Sequence, residues 1–242
     1  MVRAEEARAL MVELFPHGFE EIEHADGLEL VAYTDARGEE RIWQAFGAAT
    51  SADIADGWEE RWREFHRPVR VGEIWIGQPW QTPPPDAPTV VVIDPGRAFG
   101  TGAHPTTRLA LQLLSELDRG SVLDVGCGSG VVAIAAAKLG FAPVRAVDAD
   151  PAAVEATRRN AATNSVEVEV TAADAATSSL PDADVVIANI TRELVRALAG
   201  RISCRNYIAS GYLMTEPTSL PGFRHVRRET EDGWAADLFA SQ

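Results

Sequence analysis

Residues 122–130, V-L-D-V-G-C-G-S-G, join a short apolar run, an acid and three glycines at alternate positions. Glycine adopts backbone angles closed to other residues and lets the main chain approach a ligand closely. A glycine turn that opens a helix also presents unpaired N–H groups, a ready site for an anion or a polar ligand. The spacing narrows the choice. A dinucleotide fingerprint reads G-x-G-x-x-G, and a P-loop ends in G-K-[ST]. Here Gly126, Gly128 and Gly130 are followed by Val131, so neither pattern is met, and Asp124 stands two residues before the first glycine. Two further acids fall where strands are expected to end: Asp148 in A-V-D-A-D-P, 22 residues beyond Gly126, and Asp174 in T-A-A-D. A carboxylate at the first of these positions can accept both hydroxyls of a ribose. The spacing places Gly126, Asp148 and Asp174 along the C-terminal edge of one sheet, where open α/β sheets bind ligands.

Such an edge needs strands and helices in alternation, and the chain supplies them. Strands are expected at 69–77, 90–93, 122–125, 144–147, 166–170 and 185–188, with another beginning at 208–209. Helices are expected at 106–117, 131–139, 151–162 and 192–199. Alternation of this kind implies a parallel sheet with helices on both faces. Residues 226–231 and 234–239, separated by Asp232-Gly233, carry a hairpin signal and add an antiparallel edge. The fold class is α/β: a Rossmann-like sheet with an antiparallel C-terminal hairpin, preceded by a small α+β unit and a linker helix. The expected domains are 1–50, the linker helix 51–67 and 68–242. Within the first, apolar residues at helical spacing predict a helix over 5–15. Strands are expected at 28–33 and 41–46, joined by a turn at 35–38. In the linker, Trp58, Trp62 and Phe65 form one apolar stripe.

Composition bounds the function. The chain has 242 residues and a formal net charge of −14. Nucleic-acid binding usually shows as a basic face, so no direct nucleic-acid partner is expected. Residues 1–50 hold eleven acids against four arginines. Such a surface would speed encounter with a basic macromolecule. No apolar run is long enough for a membrane span, and the two cysteines make no disulfide framework. A cytoplasmic monomer with reduced thiols is expected. The five histidines are scattered without ligand spacing, so no metal site is expected.

The glycine turn and the two later acids resemble the class I methyltransferases, which bind S-adenosylmethionine. The flanks resemble one family of that class more closely. D-P-G-R-A-F-G-T-G-A-H-P-T-T-R-L over 94–109, Asn189-Ile190 after the fourth strand and Ser210-Gly211 after the fifth look like the PrmA family, which methylates a protein of the large ribosomal subunit, ribosomal protein L11. The resemblance implies S-adenosylmethionine as cofactor and contacts to it from Thr107, Gly126, Asp148 and Asn189. It also places Asp124 and Gly128 near the methionine end and Asp174 near the adenine; beside the resemblance, Gly100 and Gly102, spaced by Thr101 and preceded by Phe99, are expected to make a loop that can close over a cofactor. It implies amine methylation on lysine or N-terminal amines, with Asn189 as the group that receives the attacking amine. An alternative acceptor is another basic protein or a small molecule. His104 carries two readings, a base or a residue that holds the loop. Asn189 likewise suits the cap of the following helix.

Overall fold

The computed structural model describes the chain outside residues 1–6, 8–9, 12–13, 16–18, 25–26, 33, 35, 52–66 and 95–101. The chain divides into two units, Met1–Trp62 and Arg63–Gln242.

In the first unit, β1 (Glu20–His24) and β2 (Gly27–Val31) pair antiparallel, with Ile22 opposite Glu29. Helix α1 (Ala36–Phe46) follows. Residues 41–46 were expected as a strand and 36–38 as part of a turn; both lie in this helix, which corrects that reading. Ile42, Ala45 and Phe46 recur at helical spacing and are half-buried, while Trp43 and Gln44 face outward. The helical period thus outweighs the strand preference of Ile, Trp and Phe. Of the helix expected over 5–15, the described residues Ala7, Leu10, Met11 and Leu14 are helical. The expected linker helix and its stripe of Trp58, Trp62 and Phe65 lie outside the described residues.

The second unit is built on a seven-stranded sheet in the order β11-β12-β10-β9-β6-β7-β8. Its members are β6 (Val122–Val125), β7 (Val144–Asp148), β8 (Glu169–Ala172), β9 (Val185–Asn189), β10 (Asn206–Leu213), β11 (Phe223–Glu231) and β12 (Trp234–Ser241). Strands β6 to β10 run parallel, and β12 enters antiparallel between β10 and β11. Strand β6 is followed outward by β7 and β8; the chain then crosses back to β9 on its other side. That crossing opens a crevice at the C-terminal ends of β6 and β9.

Both faces are buried, so the inner strands alternate between two cores rather than between core and water. Val122, Val185 and Ile187 pack with Leu111, Leu114 and Ile134 on one face. Leu123, Val186 and Ala188 pack with Val195, Tyr207 and Phe239 on the other. Helices α2 (Pro105–Ser115), α3 (Val131–Lys138) and α4 (Pro151–Thr163) serve the first core, and α5 (Arg192–Ala199) the second.

The strand expected over 69–77 is a hairpin, β3 (Val69–Val71) and β4 (Ile74–Gly77), turned at Gly72 with φ +54°. Strand β5 (Thr89–Val92) pairs parallel to β4 and completes a separate three-stranded sheet. The strand expected at 166–170 begins later, at Glu169. The end of α4 takes the first residues: Val166 N–H bonds the Ala161 carbonyl, and Ser165 sits at φ +55°.

Strand β5 is fixed from outside its own sheet. Asn164, buried at the end of α4, accepts from Val92 N–H at 2.8 Å and donates to the Val92 carbonyl at 2.6 Å. The side-chain amide thereby does for Val92 what another strand would do. Removing it leaves the part-buried Val92 N–H and carbonyl without that partner. Asn164→Ala is expected to lower the unfolding free energy by about 2 kcal/mol in urea titrations.

Candidate active site

Strand β6 ends in a turn whose three glycines are all left-handed: φ is +75° at Gly126, +56° at Gly128 and +84° at Gly130. A Cβ on Gly126 would come within 2.5 Å of Ile190 Cγ2, and one on Gly130 within 2.7 Å of Thr157 Cγ2. Conformation and crowding therefore both demand glycine at these two positions. Gly130 is also the N-cap of α3, and it has no side chain with which to cap it. The cap comes from the preceding strand: Asp124 Oδ2 accepts from Ala133 N–H at 3.1 Å. Asp124 is only 2% exposed. Burial pushes its pKa up to about 7, against the lowering effect of the Ala133 amide and with a further rise from the Asp148 charge.

Asp148 ends β7 half-exposed. Its Oδ2 accepts from Gly128 N–H and its Oδ1 from Asp150 N–H, each at 2.9 Å. The carboxylate is thus aimed by the glycine turn and by the start of α4, and its oxygens retain further lone pairs for a ligand. Asp174, exposed after β8, accepts from Ala176 N–H at 2.8 Å and from the Thr177 hydroxyl at 3.2 Å, an Asx turn that fixes its loop.

Across the crevice, Asn189 closes β9. Its Nδ2 donates to Thr107 Oγ1 at 3.2 Å, so these two residues, 82 positions apart, meet. Thr107 lies buried in the first turn of α2. His104 is the N-cap of that helix: its Nδ1 accepts from Thr106 N–H at 3.3 Å and lies 2.7 Å from the Thr106 hydroxyl. Burial lowers its pKa, and the nearby Arg108 lowers it further, so the ring is held neutral. Phe99 and Gly100 lie outside the described residues. Among the described residues, no three His, Cys, Asp or Glu side chains are grouped so as to hold a metal ion.

Two supporting residues, Asn160 and Thr157, escaped the sequence reading, and Ser210 entered it only through the family resemblance. Asn160 donates to the Ser129 carbonyl at 2.9 Å and accepts from Asp94 N–H at 3.1 Å, tying the glycine turn to the segment that leads toward α2. Thr157, fully buried, donates to the Gly128 carbonyl at 3.0 Å. Ser210 Oγ stands 3.2 Å from the Thr106 carbonyl and 2.9 Å from that of Ala235. The only local signal for the first two was their spacing with Asn164 along one helix.

A parallel sheet with a left-handed glycine turn closing its central strand, acids closing the next two and an antiparallel final hairpin is the fold of a class I methyltransferase. The profile of the ribosomal protein L11 methyltransferase (PrmA) family matches residues 20–236, and the chain belongs to that family. A relative from Klebsiella pneumoniae, named ribosomal protein L11 methyltransferase, is 43% identical over 188 residues, covering 76% of this chain and 62% of the relative. One of the same name from Symbiobacterium thermophilum is 38% identical over 202 residues, covering 76% and 65%. The chain thus spans less than two thirds of these relatives. The crystal structure of a ribosomal protein L11 methylase from Lactobacillus delbrueckii superposes with a TM-score of 0.65 at 25% identity, covering 73% of this chain and all of that one.

The buried acid has a measurable signature. Asp124 binds its proton more tightly folded than unfolded, so its contribution is full below pH 3.8 and is lost as pH rises through about 7. Asp124→Asn keeps an oxygen for Ala133 N–H and removes the charge. Its melting temperature is expected to match wild type near pH 4 and to exceed it by roughly 5–10 °C at pH 8, read by scanning calorimetry.

Proposed function

We propose that this chain transfers methyl groups from S-adenosylmethionine to lysine or N-terminal amines of ribosomal protein L11. The observation that carries the reading is the Asn189–Thr107 pair, which sets a side-chain amide at the crossing point of the sheet, beside the glycine turn. The names of the relatives supply the acceptor. The excess of acids over residues 1–50 suits a basic protein.

The donor set fits the cofactor. Asp148 has acceptor capacity for a ribose diol, and the left-handed glycines of the turn let the main chain come close to the polar methionine end. Gly126, Gly128, Asp148 and Thr107 would hold it, with Asp174 toward the adenine; Asp124 supports them from beneath the turn. When bound, S-adenosylmethionine supplies a methyl carbon on a positively charged sulfur. The chain's task is to present a neutral amine in line with that carbon. Asn189 Nδ2 is committed to Thr107, which leaves Oδ1 to accept a hydrogen from the amine and orient its lone pair. A lysine amine with a pKa near 10.4 costs about 4 kcal/mol to neutralise at pH 7.4. Burial against the crevice lowers that cost, and alignment is worth about 7–11 kcal/mol. The proton passes to solvent before transfer, so His104 acts as the cap of α2 rather than as a base.

Two measurements test this. Purified L11 incubated with the protein and S-adenosylmethionine should gain successive methyl increments by intact-mass spectrometry. An unchanged mass, with S-adenosylhomocysteine bound, would move the acceptor to another basic protein or a small molecule. Asn189→Ala should slow transfer by at least about 100-fold while S-adenosylhomocysteine affinity, measured by calorimetry, stays within about fivefold. Equal losses of both would remove Asn189 from the amine.

A further inference from the structure

The first turn of α2, which carries Thr107, is capped by His104 and is also tied from outside the helix. Three ties connect it to the C-terminal hairpin. Trp234, the first residue of β12, meets the His104 ring edge-on, with centroids 4.8 Å apart and planes at 69°. Glu231, the last residue of β11, grips the Arg108 guanidinium with both oxygens: Oε2 accepts from Nε at 2.9 Å and Oε1 lies 2.8 Å from Nη2. The same guanidinium donates through Nη1 to the Ala103 carbonyl, and so spans the residues on both sides of His104. The Ser210 hydroxyl of β10 sits between the Thr106 and Ala235 carbonyls, with its one hydrogen within reach of either. A bidentate pair fixes direction as well as distance, and an edge-on ring pair fixes tilt.

The hairpin is itself braced. Asp237 of β12, fully buried, accepts from Arg228 Nε at 2.9 Å and Nη2 at 2.7 Å and from the Tyr212 hydroxyl at 2.8 Å, and lies 2.8 Å from His225 Nε2. Arg228 and His225 belong to β11 and Tyr212 to β10, so one carboxylate locks the three strands together. A rigid support therefore ends in a tip that holds a helix end from two sides.

We propose that Glu231 and Trp234 are positioning residues: the β11–β12 tip latches the start of α2 so that Thr107 meets Asn189 and the bound cofactor. The proposal rests on the methyltransferase reading of Thr107 and Asn189, but its primary test does not. Hydrogen exchange of the cofactor-free protein reads the latch directly. Glu231→Gln and Trp234→Ala should speed exchange in peptides over 102–109 by about fivefold or more. Arg227→Ala, which releases the hairpin from Glu116 at the far end of α2 and from Glu229 but leaves its tip intact, should leave that segment within about twofold of wild type. Unchanged exchange in both tip variants, or equal acceleration by Arg227→Ala, overturns the latch.

Affinity for S-adenosylhomocysteine then tests whether the latch acts through Thr107. Trp234→Ala should weaken it about tenfold, and Trp234→Phe, which keeps an aromatic edge for His104, should recover most of that. Combined with Thr107→Val, Trp234→Ala should add less than about twofold. Losses that multiply would overturn the action through Thr107. Absence of binding even by wild type would overturn the methyltransferase reading and leave the exchange result to decide the latch. Should Trp234→Ala fail to fold, Glu231→Gln carries both measurements.

Discussion

A helix that begins on glycine has no side chain to satisfy its first amides, and the site in this protein is built on the solution to that constraint. Asp124 reaches from inside β6 to Ala133 N–H, and the chain between them has to fold over the carboxylate in a few residues. The three left-handed glycines follow from that short path. So do the close neighbours, because Ile190 and Thr157 occupy the space that side chains on Gly126 and Gly130 would need. The turn is thus clasped between the residue that follows β9 and the middle of α4. An acid buried in this way is costly when ionised. Its position inside the sheet is what brings the backbone amides of the turn to the edge where Asp148 waits.

The parts of the fold that were legible are those in which local chemistry and final position agree. The run from Val122 to Gly130 has one sensible conformation, and Asp232-Gly233 at φ +50° and +81° makes the hairpin turn its type suggests. The acids Asp148 and Asp174 needed only a strand before them and a loop after. Errors arose where local preference had a competitor. Ile42 to Phe46 have strand-forming side chains but helical spacing, and the spacing won. Gly72 divided an apolar run that composition alone would leave whole. Val166 and Val168 have strand character, yet the end of α4 and the first core take them before the ladder starts.

What stayed hidden was mostly at long range. Asn164 pairs with Val92 across 72 positions, and Ser210 with Thr106 across 104. No periodicity announces such a bond, because the polar side chain replaces a backbone partner rather than repeating one. The Thr107–Asn189 contact belongs to the same group. Each residue was a candidate in its own right from family resemblance, and only the sheet's crossing order shows why they are neighbours. The site is therefore assembled from five stretches of chain, around 104–108, 124–130, 148, 174 and 189, whose mutual placement depends on residues outside all of them.

The insertion of β12 between β10 and β11 gives the sheet an order of completion that differs from its order in space. In chain order β9 comes before β10, whereas the strand that pairs with the other edge of β10 comes only after β11, once the chain has turned back. Only then can Asp237 gather Tyr212, His225 and Arg228, and only then does Ala235 meet Ser210. A chain ending before Trp234 would carry every glycine and acid of the crevice and still leave one edge of β10 without a partner strand. Such an edge invites pairing with other chains. The strand that covers the edge of β10 is thus made after the strand that lies beyond it in the sheet.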